Sequence, residues 1–482
     1  MASLSINLEA PNGVKYTQPA GLFIGNEFVP SSSGKKLASI DPATEKEIAT
    51  VHAADEQDVD KAVKAAKSAF KEWKQVECSE PGRLMAKLAD LIEAKRELFA
   101  TVDAWDNGKT YSEAIEGDLV EAVGVIRYYA GWADKTFGQT ISTTSQNSPT
   151  PSGNPSWKLG PALACGNTVV IKAAEQTPLS ILLLAEIIKE AGFPAGVVNV
   201  LNGPGKETGS ALVSHPLVDK VAFTGSTATG ATIMNLASKT LKNITLETGG
   251  KSPLLVFDDA ELEQAVNWSH FGIMSNQGQI CTATSRILVQ GTIYDDFVKK
   301  FVEKVKTTSR VGNQWEKGVY QGPQISKVQY DRILDYIEIG KKEGVNLAVG
   351  GKPANVGNGK GFFIEPTVFT DVSPSARIYK EEIFGPVVVI SKFKTEQEAL
   401  DLANDSTYGL GSAVFTTDLE RAHRVSAELE AGMVWVNSSQ DCDPRVPFGG
   451  VKQSGIGREL GEAGLEAYSQ IKAVHVNMGS RL

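Results

Sequence analysis

The stretch Asn167–Gly203, "NTVVIKAAEQTPLSILLLAEIIKEAGFPAGVVNVLNG", holds one full unit of the pattern that decides the fold. Its opening is a short β-rich run that ends in a loop. "LSILLLAEIIKEAG" then reads as a helix, stopped by Gly192 with Pro194 just beyond. "GVVNVLNG" returns to strand character. The alternation continues with "KETGSALVSHP" (short helix), "DKVAFTGST" (strand), "GATIMNLASKT" (helix) and "NITLETGG" (strand). Strands alternating with helices over short loops predict an α/β fold with a parallel, doubly wound sheet. Such sheets bind ligands at the carboxyl ends of their strands.

Outward from this core, two helical patterns lie upstream, "DVDKAVKAAKSAFKEWKQ" and "RLMAKLADLIEAKRELFATVDA". Downstream, from "SPLLVFDD" to "AGMVWVNSS", a second alternating region predicts a second α/β domain. Its helical candidates are "ELEQAVNWSHFGI", "IYDDFVKKFVEKVKTT", "ISKVQYDRILDYIEIGKKEG" and "ERAHRVSAELEAG". One stretch breaks the pattern. "STTSQNSPTPSGNPS", Ser142 to Ser156, has no apolar residue and reads as a flexible loop or linker.

The chain has 482 residues, enough for two or three packed domains. A net charge of −9 argues against nucleic acid or an anionic membrane as the main partner. No apolar run is long enough to span a bilayer. The first residues lack both a signal core and an Arg-rich amphipathic pattern, which argues against a secreted or mitochondrial product. Four scattered cysteines, Cys78, Cys165, Cys281 and Cys442, form no disulfide framework or zinc motif. The five histidines are equally dispersed, so no metal is expected.

Cys281 sits in "SNQGQICTATSRI". A lone cysteine is most often a small buried apolar residue. Here Gly278 permits close backbone approach, and Thr282, Ala283 and Thr284 leave room for a ligand. Glu247 ends a predicted strand before Gly249 and Gly250, where sheet proteins place functional groups; a solvated charge before a turn is the plainer alternative. "FTGSTATG" sets Gly225 and Gly230 around Ser226 at a strand-to-helix junction, suited to an anion or simply a tight turn. Lys172 and Glu175 follow another strand, and by themselves could be a surface pair.

Taken together, "AWDNGK", "RYYAGWADK", "WKLGPALACGNTVVIKAAEQTPLS", "GFPAGVVNVLNG", "FTGSTATG", "LETGGKSP", "NQGQICTATSR", "EEIFGPV", "STYGL" and "PFGGVKQSGIGRELGE" resemble the NAD(P)-dependent aldehyde dehydrogenases over nearly the whole chain. The resemblance implies two doubly wound α/β domains plus a small β oligomerisation arm. The divisions are 1–136 with 157–250 for NAD binding, 137–156 for a shortened arm, 251–449 for catalysis, and 450–482 for a C-terminal segment and oligomerisation strand. It implies oxidation of an aldehyde to the acid with NAD, through a thiohemiacetal and a thioester on Cys281. Glu247 is then the general base. Lys172 and Glu175 hold the adenosine ribose, with Glu175 disfavouring the 2′-phosphate of NADP. Ser226, in a turn made by Gly225 and Gly230, lies under the pyrophosphate, and Glu382 and Phe384 address the nicotinamide riboside. A homodimer or homotetramer is implied. Ile280 and Thr282 resemble aminoaldehyde and betaine-aldehyde oxidisers, whereas the general framework resembles broad-range short-chain enzymes. Thr248 departs from the family's usual Leu, and Pro81 from its usual Arg.

The larger departure is Ser142–Ser156. In the family this interval is longer and carries part of an oligomerisation strand, the first strand of the nucleotide-binding sheet, and a Pro-Trp-Asn segment whose Asn donates to the oxyanion. Asn147 and Asn154 follow no Trp, so neither takes that role. Three readings follow: an aldehyde dehydrogenase, active or weakened; a nucleotide-binding or structural protein that has lost turnover; or a reading frame misjoined across the segment. The location expected is cytoplasmic, with a peroxisomal alternative through Ser480-Arg481-Leu482.

Overall fold

Val169–Lys172 and Val198–Leu201 pair in parallel across the helix Leu179–Ala191, as the alternation predicts. Gly192 ends that helix with φ 100, a left-handed conformation that costs glycine little. The computed structural model describes residues 4–135, 148–149, 155–357 and 359–473.

The first α/β region is divided. One sheet has the order Glu27–Val29, Leu22–Ile24, Val198–Leu201, Val169–Lys172. A separate sheet has the order Lys220–Thr224, Asn243–Glu247, Gly455–Ile456. The expected doubly wound sheet is therefore two pieces among the described residues, because no described strand joins the edge at Val169–Lys172 to the edge at Lys220–Thr224. Both edge strands are only half-buried throughout, whereas Val198–Leu201 is wholly buried.

The second α/β region is continuous. Its seven strands run in the order Asn346–Val349, Thr367–Thr370, Val387–Phe393, Arg286–Gln290, Pro253–Val256, Gly411–Phe415, Met433–Val436. All neighbours are parallel except the antiparallel edge Asn346–Val349. Successive side chains enter opposite faces. Leu255, Leu288 and Val389 pack into one core, and Leu254, Ile287 and Val388 into the other. Burial on both faces explains why these strands read as unbroken apolar runs.

The four helical candidates of this region form at Leu262–Met274, Tyr294–Thr308, Lys327–Lys342 and Leu419–Glu428. Upstream, "DVDKAVKAAKSAFKEWKQ" forms Glu56–Trp73, opened by a capping box between Asp55 and Asp58. The second pattern is two helices, Ser79–Ala94 and Arg96–Asn107, because Lys95 leaves helical geometry at φ −105, ψ 19. Pro81 falls in the first turn of Ser79–Ala94, where a missing N–H costs nothing.

The reading of Ser142–Ser156 as all loop needs correction at two places. Pro155 and Ser156 open the helix Pro155–Ala164, where Pro fits the first helical position. Ser148–Pro149 pairs antiparallel with Asp441–Cys442. The rest of that stretch, Asn147 and Asn154 included, lies outside the described residues, as does most of the expected oligomerisation arm. So do residues 474–482, with the C-terminal Ser-Arg-Leu.

Candidate active site

Glu247 is the last residue of the strand Asn243–Glu247, and the chain turns there through Thr248, Gly249 and Gly250. Both glycines are required by close approach. A Cβ on Gly249 would lie 2.3 Å from the Glu382 carboxylate, and one on Gly250 would lie 2.4 Å from the Cys281 carbonyl. The Gly250 N–H donates to Glu382 Oε1 at 2.9 Å. The glycine turn thus brings Glu382 and Cys281 to the end of the Glu247 strand.

Cys281 itself follows a sharp reversal. Asn276, Gln277 and Gly278 all have positive φ (46°, 54° and 68°). A Cβ at Gly278 would sit 2.1 Å from the Gly385 carbonyl, so the loop presses against the segment holding Phe384. Phe384 is also left-handed, at φ 60. Beyond the cysteine, Gln440 clamps Thr282: its Nε2 donates to the Thr282 carbonyl at 2.9 Å, and its Oε1 accepts from the Thr282 hydroxyl at 2.5 Å. The sequence "SSQDCDPRV" showed no role for Gln440, since the clamp joins residues 158 positions apart.

Burial dominates the electrostatics of both Cys281 and Glu247. Burial, then the Glu247 and Glu382 carboxylates, push the Cys281 thiol well above its ordinary range, partly offset by the backbone N–H groups of Thr282 and Cys281. Glu247 is 2 % exposed, and neither carboxylate oxygen has a hydrogen-bond partner among the described residues. Burial foremost, then Glu459, raises its pKa well above the usual carboxylate range, with Lys158 and Arg458 opposing. Lys158 Nζ lies 2.6 Å from Glu459 Oε1 and donates to the Thr224 hydroxyl at 2.7 Å. Lys158 and Glu459 are therefore charged neighbours of Glu247. Both lie in quoted motifs, "WKLGPALACG" and "GRELGE", yet sequence reasoning gave them no role.

Lys172, Glu175 and Ser226 line a separate cavity of about 1710 Å³. Glu175 Oε1 accepts from the Gly205 N–H at 2.5 Å. Lys172 Nζ donates to the carbonyls of Ala173 (2.7 Å) and Gly203 (3.1 Å), and burial lowers its pKa. Ser226 caps the helix Thr227–Ala237 by accepting from the Thr229 N–H. Gly225 donates to the Glu247 carbonyl, and Gly230 packs against Thr248. A dinucleotide fits this set: a helix N-terminus for the pyrophosphate and a carboxylate beside Lys172 for ribose hydroxyls. Glu382 and Phe384 do not line this cavity. They stand with Gly250, Gly278 and Ile280 on the cysteine side.

Glu247, Glu382 and the half-buried Cys281 thus meet at one glycine turn, beside a cleft that holds a helix N-terminus and a carboxylate near Lys172. The sequence profile described as the aldehyde dehydrogenase family matches residues 28–474, and the chain belongs to that family. It is 50% identical over 501 aligned positions to an aldehyde dehydrogenase of Aspergillus niger, with 100% of both chains covered. That span exceeds the 482 residues of this chain, so the relative carries residues that this chain lacks. It is 49% identical to aldehyde dehydrogenase 1A1 of Homo sapiens, covering 97% of this chain and 96% of the other. Among solved structures, the NAD+ complex of aldehyde dehydrogenase from Bacillus cereus is 46% identical with a TM-score of 0.91, covering 95% of this chain and 97% of that one.

Proposed function

We propose that this protein oxidises an aldehyde to its carboxylic acid with NAD, using Cys281 as nucleophile and Glu247 as general base. The observation that carries the assignment is the buried Glu247 carboxylate, free of hydrogen bonds among the described residues and electrostatically coupled to the Cys281 thiol. A raised carboxylate pKa makes Glu247 a stronger base, able to take the thiol proton as substrate enters. The thiolate then adds to the carbonyl carbon, giving a thiohemiacetal on Cys281. NAD, when bound, supplies the acceptor for the hydride that this carbon releases. After Glu247 has released the thiol proton to solvent, the thioester left on Cys281 is cleaved by water whose proton goes to Glu247. Lys158 and Glu459 set the charge around that carboxylate.

Lys172, Glu175, Gly225, Ser226 and Gly230 would hold the adenosine and pyrophosphate, within a cofactor-binding part made of 1–136 and 157–250. Glu382 and Phe384 would meet the nicotinamide riboside against the catalytic part, 251–449. Glu175 selects NAD, since a 2′-phosphate would meet a like charge. The expected assembly is a homodimer or homotetramer and the expected compartment the cytoplasm, with the peroxisome as alternative. No described helix is long and apolar enough to cross a membrane.

The test is NADH formation across an aldehyde panel, with intact-mass detection of acyl-enzyme in Glu247→Gln. Absence of NADH with every aldehyde would overturn the reading. A second reading, dinucleotide binding without turnover, is favoured by the divided sheet, and would show as saturable NAD binding with no NADH.

A further inference from the structure

Gln440 holds a backbone conformation that few side chains adopt. Its φ is 66°, and Asn437 in the same loop is also left-handed, at φ 55°. A buried residue keeps such a conformation where its surroundings over-determine it. Here the surroundings are the cysteine turn and the end of a helix. Gln440 Nε2 donates to the Thr282 carbonyl at 2.9 Å and reaches the Gly272 carbonyl at 3.5 Å, while Oε1 accepts from the Thr282 hydroxyl. Gly272 lies in the last turn of Leu262–Met274, where carbonyls lack a partner within the helix, and its carbonyl also accepts from the Thr284 N–H at 3.0 Å. One carboxamide therefore ties a helix end to both polar groups of Thr282.

The neighbouring contacts fix the direction of the two segments. A Cβ on Gly272 would meet Thr284 Oγ1 at 2.3 Å and Ser439 Oγ at 2.6 Å. Thr284 thus lies by Ser439 and Thr282 by Gln440, so the segments pass in opposite directions and Cys281 falls beside Asp441 and Cys442. Cys281 and Cys442 pack against one apolar cluster. The peptide unit between Cys281 and Thr282 is then held at both ends. Its carbonyl stands against Gly250, where a Cβ would lie 2.4 Å away. Beyond its N–H, Thr282 is fixed through its own carbonyl and hydroxyl. That N–H bonds no oxygen among the described residues and faces the Cys281 sulfur, where it favours the thiolate against burial and against the Glu247 and Glu382 carboxylates.

We propose that Gln440 is a positioning residue for Cys281: by holding the Thr282 carbonyl and hydroxyl it keeps the Thr282 N–H aimed at the sulfur, so that the negative charge left when the thiol gives up its proton meets a fixed donor. Gln440 itself touches neither sulfur nor aldehyde. A preorganised donor to a charged atom needs no reorganisation at the moment of reaction. The inference rests on Cys281 being the nucleophile.

The test is the rate of Cys281 alkylation by iodoacetamide and by the bulkier N-ethylmaleimide, followed by intact mass over a pH series in the full chain without aldehyde or NAD. Gln440→Met keeps the length and apolar contacts of the side chain and makes neither hydrogen bond to Thr282. Glu247, Glu382 and Cys442, the other titratable groups near the sulfur, stay in place. We expect alkylation to slow about tenfold and its pH profile to move about one pH unit toward alkaline. The factor should be the same for both reagents, because thiolate is common to both. Turnover should show a lower kcat with KM and NAD affinity near the parent's. Thr282→Val, which removes only the hydroxyl contact, should slow alkylation less, and should add nothing to Gln440→Met. Parental alkylation in Gln440→Met overturns the inference, as does a loss that grows with reagent size, which marks access alone. If Gln440→Met does not fold, Thr282→Val decides: a parental pH profile there overturns the inference. A parent that makes no NADH defeats the proposed reaction by a separate measurement.

Discussion

The two α/β regions of this protein were built from the same sequence grammar and reached different ends. In the seven-stranded sheet, Pro253–Val256 and Gly411–Phe415 are buried at every residue. In the divided sheet, Val169–Lys172 and Lys220–Thr224 are half-buried at every residue, although Val169, Val170 and Ile171 are as apolar as Leu254, Leu255 and Val256. Burial of a parallel strand is a property of its neighbours, not of its own composition. The pair proposed as base and nucleophile straddles the difference: Glu247 belongs to the divided region, and Cys281 leads into the continuous one.

The largest expected effect tests the chemistry at that junction. Cys281→Ala should reduce aldehyde turnover by about 10⁴-fold or more, with NAD affinity nearly unchanged. Retained turnover would move the nucleophile elsewhere. Next comes the break between the two sheet pieces. Replacing residues 136–154 with a longer family-type segment that carries Pro-Trp-Asn should raise turnover by about 10²–10³, the usual worth of an oxyanion donor, and raise the melting temperature. Identical melting and turnover in the two proteins would mean that the divided region already has what it needs.

Stability sharpens the comparison further. Leu255→Ala, in the continuous sheet, should cost about 2–5 kcal/mol in denaturant unfolding. Val170→Ala, on the open edge, should cost only about 1 kcal/mol. Equal losses would break the contrast. The pH dependence follows from Glu247 and Cys281, both raised above their ordinary values. Each acts deprotonated, so turnover should rise with pH through and above neutrality. For folding the sign is opposite: an acid raised in the folded state stabilises below its unfolded pKa, and that stability is lost as pH rises through the folded value. Glu247→Gln should therefore flatten one limb of the rate profile while melting no earlier than the parent at alkaline pH. The smallest effect is at Glu175→Gln, which should narrow the preference for NAD over NADP by about tenfold in a cofactor titration.

Much of this was legible in the sequence. Gly192 marked a helix end, and the strand–helix alternation gave both α/β regions, because local propensity and burial agreed there. Cys281 and Glu247 stood out beside their glycines. The break at Lys95 was not legible, since the apolar period runs through it. Nor were Lys158, Glu459 and Gln440, whose contacts span 301 and 158 positions. The absence of apolar residues in Ser142–Ser156 pointed to a lost strand, but not to the contacts of Tyr468 with Asn167 and Lys220.

That tyrosine has a consequence for how the protein is made. Chain elongation runs at roughly 5–20 residues per second, so on the order of 10–50 s separate the emergence of Thr224 from that of Tyr468. Throughout that interval both strand edges exist on the nascent chain without Tyr468, which contacts Asn167 and Lys220 at their starts. Nascent chains on neighbouring ribosomes would then meet edge to edge, and the yield of soluble protein should depend on how fast the last residues are translated.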